Sequence, residues 1–443
     1  MATLSKIPKY VAYKDSGIDW LGEIPSEWNL KPGFVAFTEN KRNNKGMKES
    51  VVLSLSYGAI IIKPKEKLVG LVPESFETYQ LVEAGDIIIR GTDLQNDKTS
   101  LRTGLAKDKG IITSAYINLK VSRDFESRFL HYYLHSLDTT KVIYKFGSGL
   151  RQNLSFLDFK HLPTFDIPKA TQTAIANSLD KKTTQIDEAI AIKEKQIALL
   201  KERKQIIIQK AVTQGLNPNV PMKDSGVDWI GEIPEHWEVK KIKHVTSKIG
   251  SGVTPSGGGA TYLDDGIPLL RSQNVHFDRI DLLDVARISE KTHNAMNNSK
   301  VKNGDVLLNI TGGSIGRCYY VSTNTEMNVN QHVCIVRPNK QIKTIYLNAV
   351  FASEIGQGQI WFFQQGGGRE GLNFQALKNF FTPLPPEPEQ DNIITFLNSI
   401  SEVIYSAIEL QQKQIEKLKE YKTTLINSAV TGKIKITPNM LGD

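Results

Sequence analysis

One fifteen-residue segment occurs twice in the chain. KDSGIDWLGEIPSEW runs from Lys14 to Trp28 and KDSGVDWIGEIPEHW from Lys223 to Trp237, with 11 of 15 positions identical at an offset of 209. Such a repeat constrains the fold before any local propensity is weighed, because each copy must build the same local structure. A second block agrees. RQNLSF from Arg151 aligns with REGLNF from Arg369 at an offset of 218, and that offset also carries Ile175 onto Ile393, Leu179 onto Leu397, Gln196 onto Gln414 and Ala211 onto Ala429. The 443 residues are two copies of one unit: a Trp-bearing segment, a diverged middle and a closing segment. Ends that match and middles that differ imply a common frame carrying two different tasks.

The closing segments read as long helices. Residues 169–213 and 389–431 contain no Gly and no Pro, although the chain has 33 and 18 of them. Apolar residues recur every seven positions at Leu179, Ile186, Leu200 and Ile207 and at Ile190 and Ile197. The second window repeats this at Leu397, Ile404, Leu418 and Leu425 and at Ile408 and Ile415. These are the two seams of a coiled coil. Polar interruptions fall at matching places, Lys193 with Gln411 and Lys204 with Lys422, which predicts that the two helices pair with each other. Pro168 and Pro388 precede the helices and Gly215 and Gly432 follow them, as start and stop signals. At 1.5 Å per residue each makes a rod of roughly 60 Å.

Connectivity supplies a direction. The first middle feeds the start of helix one, and only nine residues separate Thr213 from Lys223, so the second copy begins at the other end and helix two runs back. The expectation is an antiparallel pair with one variable domain at each end, pseudo-twofold symmetry, and chain termini that meet.

The middles, 31–150 and 240–368, are rich in short β-branched runs such as SVVLSLSYGAIII and NGDVLLNITGGSIG, with helical stretches around Arg128 to Tyr144 and Tyr346 to Phe363. Each predicts a mixed α/β domain with a strand-rich core. Composition excludes other classes. Hydrophobic residues make up 40% and charged residues 23%, a globular profile, and no uninterrupted apolar run approaches the 18 residues of a membrane span. Cys318 and Cys334 lack the spacing of a disulfide framework or a thiolate metal site and are expected to be free thiols in a cytoplasmic protein. With 55 Lys and Arg against 47 Asp and Glu, the net charge of +8 leans toward polyanionic partners.

The doubled DSGxDWxGEIPxxW, the GSGLRQNLSF and GGGREGLNF segments, GSGVTPS at 250–256 and PPEPEQ at 385–390 before a helix resemble the specificity subunit of type I restriction-modification systems. The resemblance covers essentially the whole chain. It implies an α/β protein in which two mixed α/β target recognition domains are separated by two long antiparallel coiled-coil helices. The domains would be 1–168 and 214–388, the helices 169–213 and 389–431, and the tail 432–443. Each domain would read one half of a split sequence in double-stranded DNA, and the helices would set the spacer. The subunit would do no chemistry itself. It would carry two methyltransferase subunits using S-adenosylmethionine, and restriction subunits using ATP and Mg. One departure is visible: the first copy has DIPKATQ at 166–172 where the second has PPEPEQ, so it keeps Pro168 and Gln172 without the acidic residue.

Base edges are read by Arg, Lys, Asn and Gln, and phosphates by Lys, Arg and backbone donors. Candidates in the first domain are Lys41, Arg42, Lys45, Arg90, Arg151 and Gln152. In the second they are Arg271, Gln273, Asn274, Arg317, Gln331 and Arg369. Catalytic motifs do not compete. There is no GxxxxGK[ST] loop, and the only double prolines lie in LPPEP rather than in the [ND]PP[YF] of adenine methyltransferases. His131 and His135 have i, i+4 spacing without a following Glu and read as helix surface rather than a zinc site. The rival from another class is a coiled-coil scaffold that binds proteins through its end domains.

Overall fold

The repeated segment folds the same way twice, and its residues show why. Asp15 Oδ1 accepts from the Gly17 amide at 3.0 Å and Ser16 Oγ from the Ile18 amide at 3.2 Å; Asp224 with Gly226 (2.9 Å) and Ser225 with Val227 (3.2 Å) repeat both bonds. These side chains close the turn, and Gly17 and Gly226 take φ of +71° and +72°, which a side chain would strain. The turn lies between the strands of a hairpin in each copy, Tyr13–Asp15 with Glu23–Pro25 and Met222–Asp224 with Glu232–Pro234. It buries the second Trp of the motif, Trp28 at 2% and Trp237 at 1% exposure.

The computed structural model describes residues 8–64, 66, 75–97, 99, 101–146, 153–255, 259, 262–364 and 371–437. The chain divides into two units, 1–193 with 412–443, and 194–411. The first holds a four-stranded antiparallel sheet of β1 (Phe37–Glu39), β2 (Ile87–Ile89), β3 (Thr103–Leu105) and β4 (Ile117–Val121) in the order β1-β4-β2-β3. The second holds β5 (Thr246–Ser251), β6 (Val306–Asn309), β7 (Cys318–Tyr320) and β8 (Val333–Pro338) in the order β5-β8-β6-β7, again antiparallel. The strand order is thus the same in both. What surrounds these sheets differs. The first unit adds a hairpin, Leu53–Ser56 with Ala59–Ile62, and an antiparallel pair, Gln80–Val82 with Gly110–Ile112, joined by a parallel bridge between Val52 and Ile111. The second adds three strands that include a parallel pair, Ile267–Leu270 with Asn328–Val329.

The helices α1 (Ser127–Thr139) and α3 (Thr344–Ala352) pack in the two cores. The predicted helical stretches are each broken: a 3-10 turn, Val142–Lys145, follows α1, and a second helix, Glu354–Gln364, follows α3.

Two long helices close the units, α2 (Lys169–Gln214, 46 residues) and α4 (Glu387–Val430, 44 residues). Pro168 caps α2 through its carbonyl, but Pro388 lies inside the first turn of α4 rather than before it, where the missing N–H is harmless. In the first unit Leu179 and Ile186 share a core with Leu418 and Leu425, Asp187 meets Lys422 at 2.7 Å, and Lys193 bonds Gln414. In the second, Ile208, Ala211 and Val212 share a core with Ile393 and Leu397, and Lys204 donates to the Tyr405 hydroxyl at 2.6 Å. Ile404, Ile408 and Ile415 are buried as well, whereas Ile190, Ile197, Leu200 and Ile207 are only half-buried. By length and composition α4 can cross a membrane, with an 18-residue window of mean hydropathy 1.3. Asn, Ser and Glu interrupt that window, so it has no long apolar run, and its Ile393 and Leu397 face the second core.

One further pin is common to both units. Gln172 and Gln390, each 1% exposed, accept from the amide just before the shorter helix (Glu126, 2.9 Å; Lys343, 2.8 Å) and donate to Ile167 and Pro385 carbonyls at 2.8 and 3.0 Å. At the other end, Lys435 N donates to Pro8 O at 2.7 Å, so the two terminal segments touch in the first unit.

Candidate nucleic-acid interface

Each central strand, β2 or β6, runs out of the sheet into a loop, and the second repeated block lies against that loop. In the first unit Leu154 N donates to Gly91 O at 2.7 Å and Asn153 Oδ1 accepts from Asp93 N at 2.9 Å. In the second Leu372 N donates to Ile310 O at 2.8 Å. The repeat therefore holds equivalent loops, 91–97 and 310–317, at equivalent strand ends. Arg151, Gln152 and Arg369 directly precede these contacts in sequence but lie outside the described residues.

Arg90 stands at the end of β2, where its guanidinium meets Asp97 at 3.4 Å. Lys41 pairs with Glu39 at 2.9 Å, and Arg42 bonds Asn40 at 3.1 Å and lies 3.8 Å from Glu83. Lys45 is exposed, and among the described residues no hydrogen bond or ion pair joins Lys41 or Arg42 to the loop. In the first unit Arg90 is thus the candidate that stands at the strand end carrying loop 91–97, and the ion pairs of Lys41 and Arg42 are made with Glu39 and Glu83.

More candidates converge in the second unit. Asn309, at the end of β6, donates from its amide to Ser272 O at 2.7 Å and from its backbone to Arg317 O at 2.8 Å, which joins the RSQN turn to the Arg317 loop. Ile310 N donates to His332 O, and Thr311 Oγ1 meets His332 Nδ1 at 2.6 Å. Gln331 Nε2 lies 3.0 Å from His332 Nε2, and Gln331 Oε1 accepts from Thr254. Gln273 and Gln331 are exposed at this end, and Arg271 and Arg317 are half-buried. Asn274 does something else. It is 2% exposed, with its amide engaged by Arg271 N and Asp281 O, so it builds the turn rather than reaching outward.

Two features went unseen in the sequence. Arg102 is fully buried behind loop 91–97, and His332 belongs to the polar group above; a lone Arg or His among polar residues gives no signal of either. His131 and His135 correct an expectation. They are half-buried, not surface residues, with Nε2 and Nδ1 enclosed and without a hydrogen-bond partner. Burial pushes His131 down to about 3, helped by His135, and His135 down to about 4, helped by Lys422. Among the described residues no group of three or more His, Cys, Asp or Glu is placed to hold a metal ion. Cys318 and Cys334 are free and buried, their thiols pushed up to about 12 by burial.

The chain can now be set against known proteins. Residues 234–420 match a family model described as the type I restriction modification DNA specificity domain. The type I restriction enzyme EcoBI specificity subunit of Escherichia coli is 26% identical over 395 residues, covering 85% of this chain and 78% of that protein. The MjaVIII specificity subunit of Methanocaldococcus jannaschii is 26% identical over 334 residues, covering 74% and 75%. Among solved structures, a chain from work on complex assembly and conformational transition of the type I R-M system superposes with a TM-score of 0.66. It is 15% identical, covers 92% of this chain and 98% of its own, and bears on the fold alone.

Proposed function

We infer the function from one premise, that the chain belongs to the specificity subunits of type I restriction-modification systems. It recognises DNA, and each unit reads one half of a bipartite target. The observation that carries this is the doubled frame with unlike tips. The same strand order and the same repeated block hold loops 91–97 and 310–317, yet the two loops share almost no chemistry. A frame that is kept while its tips diverge is what reading two different half-sites requires.

In this reading α2 and α4 form an antiparallel coiled coil with pseudo-twofold symmetry that fixes the spacer between half-sites. Support comes from the seam contacts within each unit and from the connectivity of the repeat. The candidate DNA contacts are Lys41, Arg42, Lys45, Arg90, Arg151 and Gln152 in the first domain, and Arg271, Gln273, Arg317, Gln331 and Arg369 in the second. Chemistry belongs to partner methyltransferase and restriction subunits, and this chain acts without catalysis, in the cytoplasm. A docking surface for a partner is supported by Leu199, Ile206, Phe396, Val403 and Leu410, apolar residues spaced by sevens on the second unit's helices that remain 36% to 67% exposed.

The test is selection from a duplex library of split sequences by the chain assembled with its methyltransferase partner. Enrichment of one bipartite sequence is expected, and binding without sequence preference contradicts the reading.

A further inference from the structure

Arg102 is 0% exposed, and all five of its guanidinium N–H groups have acceptors. Nη1 donates to the carbonyls of Arg90 (3.2 Å) and Thr92 (2.7 Å), and Nη2 to those of Asp93 (3.1 Å) and Asp97. Nε donates to the Tyr144 hydroxyl at 3.0 Å, which itself donates to Asp97 O at 3.2 Å. A buried cation is tolerated only when its donors are satisfied, so this residue stays where it is only while loop 91–97 holds one conformation. The loop is fixed from other sides too. Leu94 is 0% exposed, Asp93 adopts φ of +60°, and Asn153 holds the Asp93 amide.

Carbonyls on either side of Gln95 and Asn96 converge on one guanidinium, and Thr92, Gln95 and Asn96 are exposed. Asn96 Nδ2 is engaged by Asp93 Oδ1 at 2.8 Å. That leaves Gln95 with an amide that has no partner among the described residues. An exposed amide on a backbone this constrained is what reading a base edge demands, since the donor and acceptor must be held to about half an ångström. Gln presents the donor and acceptor that match N7 and N6 of adenine in the major groove. The second unit has Gly312, Gly313 and Ser314 at the equivalent place, so the device belongs to the first alone.

We propose that Gln95 reads an adenine in the half-site of the first unit, with Arg102 as the positioning residue behind it. This rests on the DNA-recognition reading above. The test uses the full chain assembled with its methyltransferase partner and a duplex library randomised over both half-sites, read as base preference at each position. The wild-type assembly selects a split sequence with an adenine in one half. Gln95→Ala, an exposed position that leaves the core intact, lowers discrimination at that base roughly tenfold or more and leaves the other half-site as it was. Gln95→Glu, which can only accept, moves the preference toward cytosine. Arg102→Lys, without the five-donor fork, blurs neighbouring positions of the same half-site only. If Gln95→Ala changes no position in an assembly whose wild type is selective, the inference falls and the recognition reading stands. If the wild type selects nothing, both fall.

Discussion

The two units share a frame but not the means of stabilising it. Trp28 and Trp237 occupy the same place in the repeat, and both are buried. Trp28 is packed edge-on by Tyr10 and Phe165, at 5.6 and 5.0 Å between ring centroids. The indole of Trp28 hydrogen-bonds the neutral Tyr10 hydroxyl, whereas Trp237 donates its indole N–H to the Glu389 carboxylate at 2.9 Å, and Glu389 also meets His236 at 2.6 Å. Glu389 aligns with Thr171 at the offset of 218, so the departure from PPEPEQ in the first copy removes this acceptor. Buried Asp86 and Asp305, each just after the positive-φ glycine that leads into the central strand, differ in the same way. Asp305 takes two bonds from Arg337, at 2.6 and 2.9 Å, whereas Asp86 has the Asn40 amide at 3.3 Å. The repeat thus preserves geometry, the turn, the buried ring and the buried carboxylate, and leaves their electrostatic partners free to diverge.

The largest expected effect removes what is common. Trp237→Ala should destabilise the second unit by about 3–5 kcal/mol and Trp28→Ala the first by a similar amount, measured by hydrogen exchange resolved along the chain. Exchange that rises in only one of the two variants would mean the frame is not shared energetically.

The carboxylates should separate the units by sign. Asp305→Asn strands Arg337 and should destabilise by about 3 kcal/mol. Asp86→Asn should stabilise by up to about 1 kcal/mol at neutral pH. Burial raises Asp86 above the ordinary carboxylate value, although the Glu83 amide and the Asn40 and Asn118 side chains donate to it. A raised folded value makes protonation favour the fold, a contribution present below the unfolded value near 4 and lost as pH climbs through the folded one. The gain from Asp86→Asn should therefore grow with pH across that range in denaturant titrations, and a gain independent of pH would contradict the assignment.

Histidines give a third contrast. His131 and His135 are held neutral at folded values of about 3 and about 4, so their contribution is present above the unfolded value near 6.5 and lost as pH falls toward them. The first unit should weaken between roughly pH 6.5 and 4, and His131→Leu should flatten that slope in exchange measurements. The smallest effect is that of Glu389→Gln. With both ion-pair partners around 40% exposed, it should destabilise the second unit by roughly 0.5–1 kcal/mol, read as a small shift in its denaturation midpoint.

Local grammar was legible in the sequence. Asp-Ser-Gly closes its turn by its own side chains, Gly215 and Gly432 end their helices at φ of +71° and +72°, and the seam of α4 is buried as its spacing requires. The seam of α2 was less so. Ile208 is buried where the seven-residue spacing names Ile207, because a straight helix drifts by roughly 20° per heptad and this stretch also faces the core of the second unit. At the candidate interface residue type did not give the depth of a side chain. Asn274 and Arg102 both look like surface residues in sequence. Their burial depends on Asp281, and on Tyr144 and the loop carbonyls, contacts made only when distant segments meet.

The central claim is that the frame is common and the tips are separate readers. Its most direct test is to exchange residues 31–150 for the corresponding stretch of another specificity subunit and to determine the sequence selected by the assembled complex. The account predicts that one half-site changes while the other half-site and the spacer stay as they were; changed bases in both halves would contradict it.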